Sequence, residues 1–321
     1  MTEVLIASSS IDRPNYWPVS ERLVELGHAP IIYNADKVAD GSDSLSISIK
    51  NEAVSVIYEG KQLNPSTISA AWYRHPQLFG YDYEDKAMVL CIEDEANKLQ
   101  QFIWDQIPEN RWLNEPKRME AARGKLSQLT LANTLGFDTP TTIVTNKWDE
   151  ALELLDDEFI VKMSKGLLYE QNKPKGAYTT RLSKQSLSAQ LLDTSPFPAI
   201  FQDYKSKKRE WRITLVGDRA FSAAIYTSDS AKDDWRKHQL TPDVEFKNEQ
   251  FSVELTEKCY QFLGKLGLKY GCFDFIETVE GATVFLEMNP NGQYMWLEKS
   301  LDMPISNSIA AELSQTAKLN K

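Results

Sequence analysis

The chain has 321 residues, with 36 basic and 46 acidic side chains and a formal net charge of −10. This length predicts two or three closely packed domains. A hydrophobic share of 42% is enough for a buried core and excludes a wholly disordered chain. The acidic balance argues against a general nucleic-acid-binding protein, which needs a basic face. It is still compatible with an anionic ligand that is held by a few local cations.

The sequence shows no targeting or membrane segment. Its first residues carry no basic stretch, and no apolar run reaches the roughly 20 residues of a membrane helix. Cys91, Cys259 and Cys272 are widely separated and form neither a metal-binding nor a redox motif. We therefore expect reduced thiols in a soluble, cytoplasmic protein that has no membrane or nucleic-acid partner.

Strands and helices alternate in the first third of the chain. The apolar patterns predict strands at 4–7, 30–33 and 68–73, a helix over 18–27, a hairpin over 46–61 and a long helix over 83–107. This order is typical of a small α/β domain with a partly parallel sheet.

The rest of the chain has a different order of predicted elements. We predict a helix over 117–136, a basic glycine-containing loop over 164–175, a helix over 187–192, and strands at 142–144, 159–162, 177–182 and 200–204. Two hairpins over 212–226 and 273–287 then combine with helices over 254–266 and 293–319. We expect an N-terminal α/β domain (1–112), a central subdomain (113–204) and a C-terminal subdomain (205–321).

Three polar residues in the last hairpin are candidate metal ligands. A strand places Glu287 and Asn289 on one face and turns Met288 to the other. If the two strands pair, Asp274 points toward Glu287, and two carboxylates on an otherwise apolar sheet repel unless a cation neutralises them. Carboxylate and amide oxygens suit Mg²⁺. The alternative is an edge strand with solvated acidic side chains.

Four cations are candidates for contact with phosphate. Lys162 ends an apolar strand and Arg212 lies inside one, and such positions call for an anionic partner. Lys125 could equally be a surface lysine, and Arg236 could pair with a neighbouring aspartate. The loop over 164–176 could close over a polyphosphate. No Walker, dinucleotide-binding or serine-nucleophile motif is present.

The order of these residues resembles the ATP-grasp superfamily over about residues 115–300. The resemblance implies an ATP-grasp fold of the α/β (α+β) class, with ATP and two Mg²⁺ as cofactors. It also implies roles for the site residues in nucleotide binding: Lys125 and Lys162 would contact the ATP phosphates, the backbone around Gln202, Asp203 and Tyr204 would hold adenine, and Glu210 would bind the ribose. Asp274, Glu287 and Asn289 would hold Mg²⁺. Arg212 and Arg236 would stabilise the transferred phosphoryl group and the acyl phosphate.

A narrower likeness covers nearly the whole chain. The segments at 71–76, 210–218, 234–236 and 289–298 look like those of the ATP-grasp peptide maturases that make microviridin-type graspetides. The sequence departs from that pattern at His75, where a second arginine is expected. The resemblance implies a macrocyclase that joins side-chain carboxylates of a ribosomal precursor peptide, with leader and core, to Ser or Thr hydroxyls or Lys amines.

Two other functions stay open at this point. One is an ATP-grasp carboxylate–amine ligase that adds an amino acid to a small molecule or a protein tail. The other is a nucleotide-binding interaction protein without turnover. The resemblance also leaves the oligomeric state open, a homodimer included.

Overall fold

A computed structural model describes residues 1–51, 53–77, 86–162, 167–170, 173–176, 180–185, 198–228, 235 and 241–320. The chain begins with a parallel sheet in which β1 (Thr2–Ser8) lies between β2 (His28–Asn34) and β6 (Ala70–Tyr73). The apolar residues of β1 are fully buried, as expected for a central parallel strand. The predicted parallel α/β beginning is confirmed.

The first helix starts earlier than predicted. Helix α1 (Arg13–Glu25) contains Pro18, which the sequence pattern had suggested as the helix start. Proline is favoured at the first helical positions, and Pro14 occupies one of them. Pro18 therefore lies more than a turn inside the helix.

A short helix and a meander complete the N-terminal part before the long helix α3 (Lys86–Asp105). The helix is α2 (Ala35–Ala39), and the meander consists of β3 (Leu45–Lys50), β4 (Ala53–Tyr58) and β5 (Lys61–Leu63). Glu59 and Gly60 both have positive φ, 49° and 68°, so the β4–β5 connection is a tight hairpin turn with two left-handed residues.

The single helix predicted over 117–136 is wrong. The structure has two helices, α4 (Pro116–Ala122) and α5 (Lys125–Thr134), separated at Gly124. Gly124 has extended backbone angles (φ −64°, ψ 107°), which a helix cannot continue through. The break places Lys125 at the first position of α5.

The middle of the chain forms an antiparallel sheet in the order β11–β8–β12–β7, next to helix α6 (Trp148–Leu154). Its strands are β7 (Thr142–Thr145), β8 (Glu158–Lys162), β11 (Thr180–Ser183) and β12 (Ala199–Asp203). Where we predicted a loop, β9 (Leu167–Glu170) pairs with β10 (Lys173–Gly176) as an antiparallel hairpin. The rest of that loop and the helix predicted over 187–192 lie outside the described residues.

The C-terminal part is built on an antiparallel five-stranded sheet in the order β15–β14–β13–β16–β17. Its strands are β13 (Lys207–Val216), β14 (Arg219–Thr227), β15 (Val244–Asn248), β16 (Tyr270–Thr278) and β17 (Thr283–Asn289). Helix α7 (Val253–Leu266) packs on a phenylalanine-rich face of this sheet. Helices α8 (Met295–Leu301) and α9 (Ile305–Leu319) pack against one end of the opposite face.

In the part of the chain that the structure describes, no helix combines the length and the apolar character that crossing a membrane requires.

Candidate active site

Three charged residues lie in a row across the C-terminal sheet. The register pairs Arg212 of β13 with Asp274 of β16, and Asp274 with Glu287 of β17. The predicted pairing of Asp274 with Glu287 is confirmed. Met288 is buried in the core on the other face, so Glu287 and Asn289 share the face that carries Asp274, as the alternation predicted.

Each of the two carboxylates has a cation beside it. Arg212 Nη1 lies 2.9 Å from Asp274 Oδ1, and both side chains are only 8% exposed. Lys125 Nζ lies 3.6 Å from Glu287 Oε2, with both side chains about one-third exposed. These two cations offset the repulsion between the facing carboxylates. The sheet therefore presents a compact group of two negative and two positive charges.

The side-chain oxygens of this group are suitable ligands for a Mg²⁺ ion that is bound together with a substrate. Asn289 is exposed, and its Oδ1 accepts one hydrogen bond, from the N–H of Asn291 (2.9 Å), which leaves a second lone pair. Within the described residues, no group of three His, Cys, Asp or Glu side chains could hold a metal ion. Mg²⁺ is usually bound through one or two carboxylates together with water and substrate phosphates. Asp274, Glu287 and Asn289 offer such a set.

The predicted adenine hinge lies at the end of β12. Gln202 and Asp203 are buried, and their side chains hydrogen-bond within the central part of the chain, to Thr142 and to the N–H of Asp156. The backbone N–H groups of Asp203 and Tyr204 already donate to carbonyl oxygens of neighbouring segments. A purine at this hinge would therefore need other backbone groups, such as carbonyl oxygens. Its binding here stays a prediction.

The other predicted ligand residues have uneven support. Glu210 is two residues before Arg212 on β13 and is buried, and Lys207 Nζ lies 2.5 Å from its Oε1. Lys162 is the last residue of β8, opposite Ile200, but its side chain is not among the described ones. Arg236 lies outside the described residues.

Sequence reasoning missed Gln128, which fixes the strand that carries Glu287 and Asn289. Gln128 is buried in α5. Its Nε2 donates to the carbonyl oxygens of Ala122 and Met288, both at 2.7 Å. Its Oε1 accepts a hydrogen bond from the N–H of Met288 (2.8 Å). Met288 lies between Glu287 and Asn289, so this amide sets the position of both. The only signal in the sequence is a glutamine on the apolar side of a helix.

Replacing Gln128 with leucine should weaken both fold and activity. The substitution leaves the buried N–H of Met288 without its acceptor, which costs about 1–3 kcal/mol of unfolding free energy. We expect kcat to fall while the KM for ATP changes little. Urea unfolding and steady-state kinetics measure the two effects. Thr130→Val, on the exposed side of the same helix, is the matched control. Equal kinetics in the two variants would contradict a positioning role.

Arg74 is a second positioning residue and joins the N-terminal sheet to the loop after β17. It is fully buried; its Nε lies 2.9 Å from Asp12 Oδ2, and its Nη1 donates to the carbonyl oxygens of Asn291 and Gly292 (3.3 Å each). Nη2 donates to Gln293 Oε1 at 2.5 Å. These contacts hold the segment that directly follows Asn289. The arginine of the 71–76 motif therefore acts within the fold of this chain.

His75, where the family pattern led us to expect an arginine, is held neutral. Burial, followed by the charge of Arg74, lowers the pKa of His75 from its ordinary value of 6.5 to about 4, while Asp12 opposes the shift and Arg123 adds to it. The imidazole is thus uncharged at neutral pH and does not supply the positive charge of the missing arginine.

This pKa shift predicts a loss of stability in acid. The unfolded chain takes up a proton at His75 as the pH falls below about 6.5, whereas the folded chain does so only near 4. Stability therefore decreases as the pH falls through that window. At about pH 5 this difference in proton uptake lowers the free energy of unfolding by roughly 1–2 kcal/mol, and His75→Gln should remove this loss. Urea unfolding of both proteins at neutral pH and near pH 5 tests this; an equal loss in both would contradict the shift.

No protein-family model and no curated protein matches this sequence. Solved structures match it over 98% of its length. One is a RiPP-associated ATP-grasp ligase from Chryseobacterium gregarium in complex with ADP and a leader and core peptide, with a TM-score of 0.86, 25% identity and 97% of that chain covered. Another is the macrocyclase MdnB from Microcystis aeruginosa MRC, with a TM-score of 0.76, 26% identity and 99% of that chain covered.

A third structure shares the fold at lower identity. It is the macrocyclase MdnC from Microcystis aeruginosa MRC, bound with the precursor peptide MdnA, with a TM-score of 0.79, 22% identity and all of that chain covered. The predicted ATP-grasp fold is confirmed by these likenesses. Together with the charged row on the C-terminal sheet, the two likenesses of 25% and 26% identity identify this chain as an ATP-grasp ligase that is similar in structure to RiPP-associated ones.

Proposed function

We propose that the chain is a peptide macrocyclase. It activates side-chain carboxylates of a ribosomal precursor peptide with ATP and joins them to Ser or Thr hydroxyls or Lys amines of the same peptide. The observation that carries this proposal is the row of Arg212, Asp274 and Glu287, with Lys125 beside it, on a fold shared with a ligase whose structure holds ADP and a leader and core peptide.

The reaction has two steps that balance. A carboxylate oxygen of the peptide attacks the γ-phosphorus of ATP, and ADP leaves with the bonding electron pair. The hydroxyl or amine then attacks the acyl carbon, loses its proton to solvent or to phosphate, and releases inorganic phosphate. Such chemistry needs alignment and charge neutralisation more than a protein nucleophile. This requirement agrees with a site made of cations and metal ligands.

The residues divide this work by position. Mg²⁺, when bound, would neutralise phosphate charge, and Asp274, Glu287 and Asn289 are the residues that would hold it. Arg212 would face the phosphoryl group in transfer. The remaining assignments rest on the resemblance: Lys125 and Lys162 for phosphates, the backbone of Gln202, Asp203 and Tyr204 for adenine, Glu210 for ribose, and Arg236 for the acyl phosphate. The local cations let an acidic protein bind ATP.

We also propose that the enzyme works in the cytoplasm. ATP and a newly translated precursor peptide are both present there, and the reaction requires both. The partner is then the precursor itself, with its leader and core segments.

Mass spectrometry tests the proposed reaction. The purified chain is incubated with ATP, Mg²⁺ and each short peptide that is encoded next to its gene and has a C-terminus rich in Ser or Thr and in Asp or Glu. We expect the peptide to lose the mass of one water per ring, with one ADP and one phosphate formed each time. A gain equal to an added amino acid would instead indicate an amino-acid ligase and overturn the macrocyclase. ATP consumption without any change in the peptide would overturn it as well.

A further inference from the structure

A cleft of about 550 Å³ lies between α3 and the α4 segment, outside the charged row described above. We call it the α3–α4 cleft. Asn97, Gln100 and Gln101 line it from α3, and Lys117 and Glu120 from α4. Its volume falls within the range of about 300–1,000 Å³ that is typical of ligand sites.

One buried donor in this cleft has no acceptor. Gln100 is only 4% exposed, and within the described residues its Nε2 finds no hydrogen-bond partner. The adjacent Gln101, by contrast, donates to Asp105 Oδ1 at 2.5 Å. A buried amide without a partner is costly, and such groups in native proteins call for an explanation. A bound carbonyl or carboxylate oxygen would satisfy it.

The charges of the cleft disfavour a phosphate ligand. Its two cationic side chains are already paired, Lys117 with Asp105 (2.8 Å) and Arg123 with Glu120 (3.3 Å). A phosphate would have to compete with these carboxylates and would meet their negative charge. A neutral chain that offers carbonyl oxygens meets no such obstacle.

The cleft also has an aromatic wall. Tyr73 and Trp104 line it, with their rings perpendicular and their centroids 6.4 Å apart. Tyr73 is partly buried and packs against two of the hydrophobic cores, so its ring is held in place. This wall suits an apolar side chain next to the amide donor.

Two chain connections bring the cleft to the active site. Arg123 is followed by Gly124 and by Lys125, whose Nζ lies 3.6 Å from Glu287 Oε2. Tyr73 is followed by Arg74, which holds the loop after Asn289. We take this proximity as the route by which a chain whose reacting carboxylate lies near Glu287 would continue into the cleft.

We propose that the α3–α4 cleft binds a segment of the precursor peptide next to its reacting side chain. A backbone carbonyl of that segment accepts from Gln100 Nε2, and an apolar side chain packs on Tyr73. This inference rests on the proposed function, because it names where the same substrate is held.

Gln100→Leu tests the amide donor without creating an unmet group. The probe is the same short peptide as in the mass-spectrometric test, labelled with a fluorophore, and its Kd is measured by anisotropy with ADP and Mg²⁺ present. We expect Kd and the peptide KM to rise roughly 3- to 10-fold, the range of one lost hydrogen bond. The KM for ATP should stay unchanged. The thermal midpoint should not fall, because the substitution removes a buried donor that lacks a partner.

Gln106→Leu is the matched control, since Gln106 follows the same helix and is exposed outside the cleft. An unchanged peptide Kd in Gln100→Leu, with normal binding and ring formation by the unsubstituted chain, would overturn the cleft assignment alone. A chain that binds no precursor peptide at all would overturn this inference together with the peptide substrate of the proposed function.

Photocross-linking identifies the occupant directly. A benzophenone amino acid at position 101, at the edge of the cleft, should cross-link to the precursor peptide, and the same group at position 106 should not. Mass spectrometry of the product locates the peptide residue. A cross-link from position 101 to a second copy of the chain, rather than to the peptide, would overturn the proposal.

Discussion

Glu287→Gln is expected to slow ring formation severely while leaving the protein folded. Glutamine keeps the shape of the side chain but removes the negative charge that a divalent cation needs. The loss of one such electrostatic group lowers kcat by about 10²–10³ in comparable sites. The fold should survive, because the Lys125–Glu287 pair is partly exposed and such a pair contributes about 1 kcal/mol or less. Precursor mass and ADP release, followed across a Mg²⁺ titration, measure the effect.

The control for this variant is Glu280→Gln, in the exposed turn between β16 and β17, the strands that carry Asp274 and Glu287. Wild-type turnover in Glu287→Gln at saturating Mg²⁺ would remove Glu287 from the metal site. Asp274 is a less informative position for substitution than Glu287. Its carboxylate forms a buried pair with Arg212, so Asp274→Ala removes one side of a buried ion pair, a change that costs about 3–5 kcal/mol of stability in comparable pairs. A loss of activity in Asp274→Ala would therefore combine the effect of unfolding with the effect of a slower reaction.

The charged row could be predicted because strands have a simple geometry. Successive side chains of a strand point to opposite faces of the sheet, so the sequence fixes the face that each side chain occupies. Short turns at Gly217 and Gly281 fix which strands are neighbours. Asp274 and Glu287 therefore met as predicted. The pairing of Arg212 with Asp274 needed the order of strands in the sheet, which the alternation does not contain.

The contacts that hold the row in place could not be predicted. Gln128 and Arg74 bind backbone atoms more than 150 residues away in sequence, and such contacts depend on how the sheets and helices pack. The break at Gly124 was missed because apolar residues continue in helical spacing on both sides of it. Gln100 gave no signal, because a glutamine on a long helix is usually solvated.

Arg212→Lys is expected to lower kcat by about 10²–10³ with little change in the KM for ATP. Lysine keeps the positive charge beside Asp274, so the buried pair is not left with a lone carboxylate. It loses the planar fork of the guanidinium, which is the part that can contact carboxylate and phosphoryl oxygens together. The effect should therefore fall on the transfer step and spare stability.

Arg209→Lys is the matched control for this variant. Arg209 lies on the same strand and is bound to Glu277 and Glu249, and it stacks on Trp211. Single-turnover formation of ADP and of cyclised peptide separates the chemical step from ATP binding, and urea unfolding reports stability. Because Trp211 packs in the phenylalanine-rich core, Arg209 is on the face away from the charged row, so its replacement should leave the transfer rate near that of the wild type. Equal losses in the two variants, or a rise in the KM for ATP as large as the fall in kcat, would contradict the role of Arg212 in phosphoryl transfer.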